Sequence, residues 1–387
     1  LNEAYDFISN YEQRLERISA LGIKWLRFGI PYSMGHPKPN EYDFSLFEKV
    51  LTKSNQLGIT IIADLLHFGL PEWLHEENKA EPFFQNKAFP EKFADYAERF
   101  SRRFPDVHYY TIVNEPFVTA NLSAKVGLWN ERHKSSDWRD DRAFVRATAN
   151  IAKAVILARK RIEAVWESEQ RQRDLLFVQN ESFEAAIASP GSHREAEAYH
   201  FNLRRFTALD FILGKRDLAM EKYVIEQGLT REEYDWFMEH GDSNKTILGI
   251  DHYPWCVYLL EEQGQELDPL ARYQLYELSK VYYERYPLPM LHTEINGPPD
   301  LAVEICKKTY EVITQLRDEG YPMVGMGWYG DEYQVGWQGA LVGATKYDEY
   351  QVGLYYKGEL QPVALLFTEL LQKGLKPQPP KSTWFKF

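Results

Sequence analysis

Helix-patterned segments and short apolar runs alternate along almost the whole of this chain, and that alternation leaves few folds open to it. "YEQRLERISALG" at 11–22 has apolar residues at helical spacing and stops at Gly22, a helix-ending signal. "IKWLRFGIPY" at 23–32 follows as a strand, and "ITIIADLLHF" at 59–68 is an almost unbroken apolar run. Such runs suit strands buried on both faces of a parallel sheet. Further strands are expected at 107–115, 175–181, 245–255, 289–297 and 322–330. Helices are expected at 44–58, 90–104, about 141–168, through 194–240, at 273–286 and 302–320, with one more after 359. Strands alternating with helices build βαβ units, and no Gly-rich dinucleotide fingerprint follows any of the seven strands. The pattern predicts an α/β fold, a (β/α)₈ TIM barrel whose first strand is missing or lies upstream of residue 1. A doubly wound sheet is the alternative. No linker, repeat or low-complexity stretch divides the 387 residues, and α/β barrels run long as single units. One catalytic domain over 1–387 is therefore expected.

Composition excludes several function classes. A net charge of −12, without a basic run interleaved with aromatics, argues against nucleic acid as partner. No stretch reaches the ~18–20 apolar residues that cross a bilayer, so no membrane partner is expected. Cys256 and Cys306 form neither a disulfide framework nor a zinc site. They read as buried thiols compatible with a reducing compartment, which favours a cytoplasmic setting without fixing it. No metal or organic cofactor is implied. Aromatic residues make up 15% of the chain, with ten Trp and 25 Tyr, and their faces suit both cores and the apolar faces of sugar rings.

In a barrel the site is built at the C-terminal ends of the strands. Reading those ends in order gives Arg27, His67, Asn114 with Glu115, Glu181, Asp251 with Tyr253, Glu294 and Trp328. Any one of them alone reads as an ordinary polar cap or packing aromatic. Glu181 and Asp251 stand as weaker candidates than the rest, and His292 is expected on the other side of its strand from Glu294. Two glutamates on separate strand ends suit glycoside hydrolysis, which needs one protonated and one ionised carboxyl in environments that hold their pKa values apart. Arg27 beside Glu294 would keep that carboxylate charged.

These segments also carry a family likeness. "TIVNEP" (111–116) and "HTEING" (292–297) resemble the acid/base and nucleophile motifs of glycoside hydrolase family 1, the β-glucosidase family of clan A barrels. "WLRFGIPYS", "LLHFGLPEWL", "LGIDHYPW" and "GWYGDEYQVGW" followed by "VGLYY" are similar to four more of its segments, in the same order. The resemblance implies Glu115 as general acid/base and Glu294 as nucleophile of a retaining β-glycoside hydrolase. It further implies Asn114 on the sugar 2-hydroxyl, His67 on another glycone hydroxyl, Arg27 and Tyr253 around Glu294, and Trp328 and Trp337 as sugar-binding tryptophans. The substrate would be a β-linked carbohydrate; the oligomeric state is left open.

The departures from the family pattern fall among the residues that read sugar hydroxyls. Phe68 and Gly69 follow His67 where the family has Trp-Asp, Asp251 and His252 replace Asn-Tyr, and Gly336 stands where a glycone-binding Glu is expected. No counterpart of the family's first-strand Gln is found. An altered glycone specificity is expected. A transglycosidase using the same covalent intermediate, and a catalytically silent sugar-binding barrel, are the alternatives.

Overall fold

All seven expected strands form, and they pair side by side in one parallel sheet. The computed structural model describes residues 7–77, 83–130, 137–260, 270, 272–335 and 349–375. Its first nine strands, in chain order, are β1 (Trp25–Phe28), β2 (Thr60–Asp64), β3 (Tyr109–Thr111), β4 (Leu176–Ser182), β5 (Ala185–Ile187), β6 (Thr246–Asp251), β7 (Val257–Leu259), β8 (Met290–Glu294) and β9 (Met323–Met326). The large sheet runs β1-β2-β3-β4-β6-β8-β9, while β5 and β7 make a separate parallel pair. In β2, β4 and β6 nearly every residue is buried, as the continuous apolar runs require. Helices Ser45–Gln56, Phe89–Arg103, Arg142–Ser168, Leu275–Arg285 and Ala302–Asp318 separate the strands.

The parallel sheet is curled but not closed: among the described residues no ladder joins β1 to β9. Both edges are correspondingly less covered than the inner strands, with Trp25 51% and Val324 41% exposed. Helix Phe7–Ala20 ties the two sides together. Phe7 stacks on Phe28 of β1 at 5.4 Å. Arg14 grips Asp331, just past β9, with both ends of its guanidinium, and Arg17 reaches Glu332 at 3.0 Å. Bidentate Arg–carboxylate pairs are among the stronger charge-assisted contacts, and the Arg14 side chain is only 10% exposed. Arg14→Ala is therefore expected to lower the unfolding free energy by about 1–3 kcal/mol, measured by urea denaturation.

Two expectations are corrected in detail. The strand expected over 107–115 is paired only at Tyr109–Thr111. Residues 112–115 leave the ladder because Glu115 takes a left-handed backbone (φ 40°, ψ 67°) and Pro116 opens a short helix, Pro116–Ala120, where a missing N–H costs nothing. The helical stretch 194–240 is four helices, Glu195–Arg204, Thr207–Leu213, Leu218–Glu226 and Arg231–His240. Gly214 at φ 67° ends the second. Asp217 and Thr230 cap the next two, Thr230 in a reciprocal box with Glu233.

Candidate active site

Register brings the polar strand ends to one level: Asp64 faces Thr111, Ser182 faces Asp251, and Asp251 faces Glu294. Glu115 is held there by backbone and buried side-chain contacts. The Asn114 N–H donates to Leu66 O (2.9 Å), and the Thr119 hydroxyl donates to Asn114 O (3.0 Å). Glu181 accepts the Phe117 N–H at 2.9 Å, anchoring the helix that begins after Glu115. A non-glycine residue in the left-handed region is strained and persists only where its surroundings fix it. Here Glu181 does much of the fixing.

At the other side of the mouth, Glu294 ends β8. Arg27 forms an ion pair with it, and the Tyr253 hydroxyl donates to its Oε2 at 2.8 Å. Arg27 also donates to Asn114 Oδ1 (2.6 Å) and Asp64 Oδ2 (3.3 Å). His67 Nδ1 meets Asp64 Oδ2 at 2.9 Å, and its Nε2 lies 3.3 Å from Asn114 Nδ2. With Nδ1–H donated to the carboxylate, Nε2 is left as the acceptor of the amide. Arg27, His67, Asn114, Tyr253 and Glu294 thus form one connected network.

The two glutamates sit in opposite electrostatic settings, although both are buried, Glu115 at 7% and Glu294 at 4% exposure. Burial, followed by the neighbouring acids Asp251, Glu181 and Glu184, pushes the Glu115 carboxyl well above the usual carboxylate range, with Arg27 opposing. Burial works against the Arg27 charge, but Asp251 and Asp64 help outweigh it and keep the guanidinium ionised beside Glu294. Burial, then Asp251, raises the Tyr253 phenol well above its ordinary value, so it stays a donor. The arrangement can hold one proton at Glu115 and a negative charge at Glu294.

Trp328 lies just past β9, its Nε1 donating to Val352 O at 3.2 Å. The flanking bonds Gly327 N–H to His292 O and Tyr329 N–H to Ile295 O (3.0 Å) set it alongside the strand that carries Glu294. Trp337, with Gly336, lies outside the described residues. His292 and His252 are buried neighbours, and His252 Nδ1 meets Phe183 O at 2.7 Å. Burial drives their pKa values down to about 3 and about 4, leaving both neutral. Among the described residues no group of three or more His, Cys, Asp or Glu is placed to hold a metal. None of the described helices is long and apolar enough to cross a membrane.

Three members of the network were not among the sequence candidates: Asp64, Asn180 and Thr293. Asn180 Nδ2 donates to Asp251 Oδ2 (2.6 Å) and to Asn114 Oδ1, and the Thr293 hydroxyl donates to Asp251 Oδ1 (2.5 Å). Glu184, next to this group, accepts from Ser182 Oγ (3.2 Å) and the Tyr258 hydroxyl (3.3 Å). Burial lifts its carboxyl to about 7 against those two bonds and the charges of Arg204 and Arg205. A carboxyl raised on folding contributes stability that is complete below its unfolded pKa and is lost as pH rises through the folded value. The window is therefore ~4.3 to about 7. Glu184→Gln is expected to remove up to about 3 kcal/mol of the stability lost between pH 5 and pH 8, read by urea melts at both values.

A family model described as glycosyl hydrolase family 1 matches residues 1–269, more than two thirds of the chain. The chain belongs to glycosyl hydrolase family 1. Among curated relatives, a bifunctional β-D-glucosidase/β-D-fucosidase of Bifidobacterium breve is 31% identical over 125 residues, 31% of this chain and 27% of that protein. A 6-phospho-β-galactosidase of Staphylococcus aureus is 29% identical over 116 residues, 29% of this chain and 24% of that one. The matched stretch thus spans about a quarter of the length of these relatives. Among solved structures, the family 1 β-glucosidase of Thermotoga maritima superimposes with a TM-score of 0.78 at 15% identity, covering 96% of this chain and 88% of that one. A β-glucosidase of Exiguobacterium marinum gives 0.75 at 17% identity, covering 95% and 87%. These family 1 neighbours share the barrel architecture, and at such identities the likeness is one of fold.

Proposed function

We propose that this family 1 chain is a retaining β-glycoside hydrolase in which Glu294 is the nucleophile and Glu115 the general acid/base. One observation carries the reading. Arg27 and Tyr253 both engage the Glu294 carboxylate, while burial, with the Asp251 carboxylate next, keeps a proton on Glu115. That is the division of labour double displacement needs. Glu294 attacks the anomeric carbon as Glu115 protonates the departing oxygen, leaving a glycosyl ester on Glu294. Glu115, now ionised, takes a proton from the water that attacks the same carbon and restores Glu294. His67, about a third exposed, and Asn114 beneath it are the hydroxyl-reading residues, and Trp328 is the platform for the sugar ring.

Asp251 and the Phe68-Gly69 pair after His67 support a glycone preference that differs from an ordinary β-glucosidase. Trp255 supports a second reading, transfer of the glycosyl group to an acceptor other than water. It is 51% exposed and stacks on Tyr253 at 4.8 Å with 16° between the rings. An acceptor with a flat apolar face could lie against it.

The test is a panel of aryl β-glycosides, including phosphorylated and deoxy sugars, followed by proton NMR of the first-formed product. Release of the β-anomer is expected. An α-anomer, or no turnover of any member, rejects the reading. Products longer than the substrate when alcohols are added would favour transfer.

A further inference from the structure

Asp251 touches neither of the two glutamates by hydrogen bond, yet it stands at the centre of the polar network beneath them. We propose that Asp251 is a positioning residue that fixes the Asn180 amide, and through it the Asn114 amide, next to Glu115. The logic is that of donors and acceptors. An ionised carboxylate only accepts. Asp251 Oδ1 takes the Thr293 hydroxyl (2.5 Å) and Oδ2 takes the Asn180 amide (2.6 Å). Asn180 must therefore turn its NH₂, not its oxygen, towards Asp251.

The second N–H of that NH₂ donates to Asn114 Oδ1, which also accepts Arg27 at 2.6 Å. Both acceptor directions of the Asn114 oxygen are then used, and its NH₂ is directed to His67 Nε2 (3.3 Å). One fixed charge thus sets the polarity of two amides in succession. An amide at position 251 could satisfy its neighbours in either flip and would set none. The packing is built for this contact. Gly249 faces Asn180 across the β4–β6 ladder, and a Cβ there would lie 2.5 Å from the Asn180 Cβ. Only glycine lets the two strands, and hence the two side chains, approach so closely.

Asp251 is also fully buried, so its charge acts on Glu115 with little screening. The groups facing the pair come from every neighbouring strand. Burial raises the Asp251 carboxyl above its ordinary value, and Arg27 of β1, the hydrogen bonds from Thr293 and Asn180, and His67 beyond β2 oppose that rise. Around Glu115, Asp251 is joined by Glu181 of β4 and Glu184 beyond it, against Arg27. Tyr253, Cys256 and Tyr258 stay neutral beside them, their protons held by burial. Asp251 stands first among the charges that keep Glu115 protonated.

Asp251→Asn removes the charge without changing the shape, and Asp251→Ser is the second variant should the first fold poorly. The direct readout is the ¹³C-carboxyl NMR titration of protein labelled in glutamate, with the Glu115 signal assigned by its loss in Glu115→Gln. The Glu115 midpoint is expected to fall by about one pH unit or more in both variants; an unchanged midpoint overturns the proposal. The rate readout rests on the glycosidase reading. An acid with a lower pKa loses its proton sooner, so the alkaline limb of kcat/KM moves to lower pH. In a cycle with Asn180→Ala, the kcat/KM losses should be clearly less than multiplicative, because both act through Asn114; independent effects overturn the orientation chain. If wild type turns over no aryl glycoside, the glycosidase reading falls while the carboxyl titration still decides the role of Asp251.

Discussion

Glu294→Ala will lower kcat for aryl β-glycosides by on the order of 10⁴–10⁶-fold, the scale seen when a covalent nucleophile is removed. The structural reason is that no other carboxylate can replace it. Arg27 and the Tyr253 hydroxyl both converge on Glu294. Asp64, the other carboxylate bonded to Arg27, is also engaged by His67 at 2.9 Å. Asp251 is tied up by Asn180 and Thr293. Removing Glu294 also leaves Arg27 buried with one fewer counter-charge, so KM is no guide to the loss. Steady-state rates with a dinitrophenyl glycoside measure it, and a loss below about tenfold would exclude Glu294 as the nucleophile.

Glu115→Ala is expected to cost about 10²–10⁴-fold in kcat, the usual range for a positioned acid/base, with a dependence on the leaving group that Glu294→Ala lacks. For a poor leaving alcohol, protonation is needed to form the glycosyl ester, and the first step slows. For dinitrophenolate, departure needs little help, so the ester forms and then waits for a water no longer deprotonated. A rapid burst of dinitrophenol followed by slow turnover is the expected trace. A small anion such as azide, which needs no general base, should restore turnover with that substrate. Equal losses for good and poor leaving groups, without a burst, would remove Glu115 from the acid/base role.

Much of the fold could be read from the sequence, because each strand is a short apolar run and each helix a run of 3.6-residue periodicity. The strand lengths were not as legible. β3 stops at Thr111, four residues before Glu115, and only the left-handed Glu115 backbone shows why. Six of the site candidates, Arg27, His67, Asn114, Glu115, Tyr253 and Glu294, are brought to one mouth because they stand at strand ends. Asn180 escaped notice because its neighbour Glu181 is the more conspicuous residue. Alternation along β4 separates the two, sending Asn180 into the network and Glu181 to the Phe117 amide. Thr293 was hidden by a register shift between β6 and β8, which pairs Asp251 with Glu294 rather than with Thr293. A one-dimensional pattern carries neither side-chain parity at a strand end nor a bulge. Asp64 sits inside the apolar run at 59–68, where nothing in spacing distinguishes a buried partner of Arg27 from a simple strand cap.

The most direct test of the account is to trap the intermediate. Incubation with dinitrophenyl 2-deoxy-2-fluoro-β-glycosides, which form the glycosyl ester faster than they lose it, should add the mass of one fluoroglycosyl group to the protein. Peptide mapping should place that mass on Glu294. Attachment to any other residue, or sustained turnover of the parent glycosides with no adduct at all, would contradict a double displacement through Glu294.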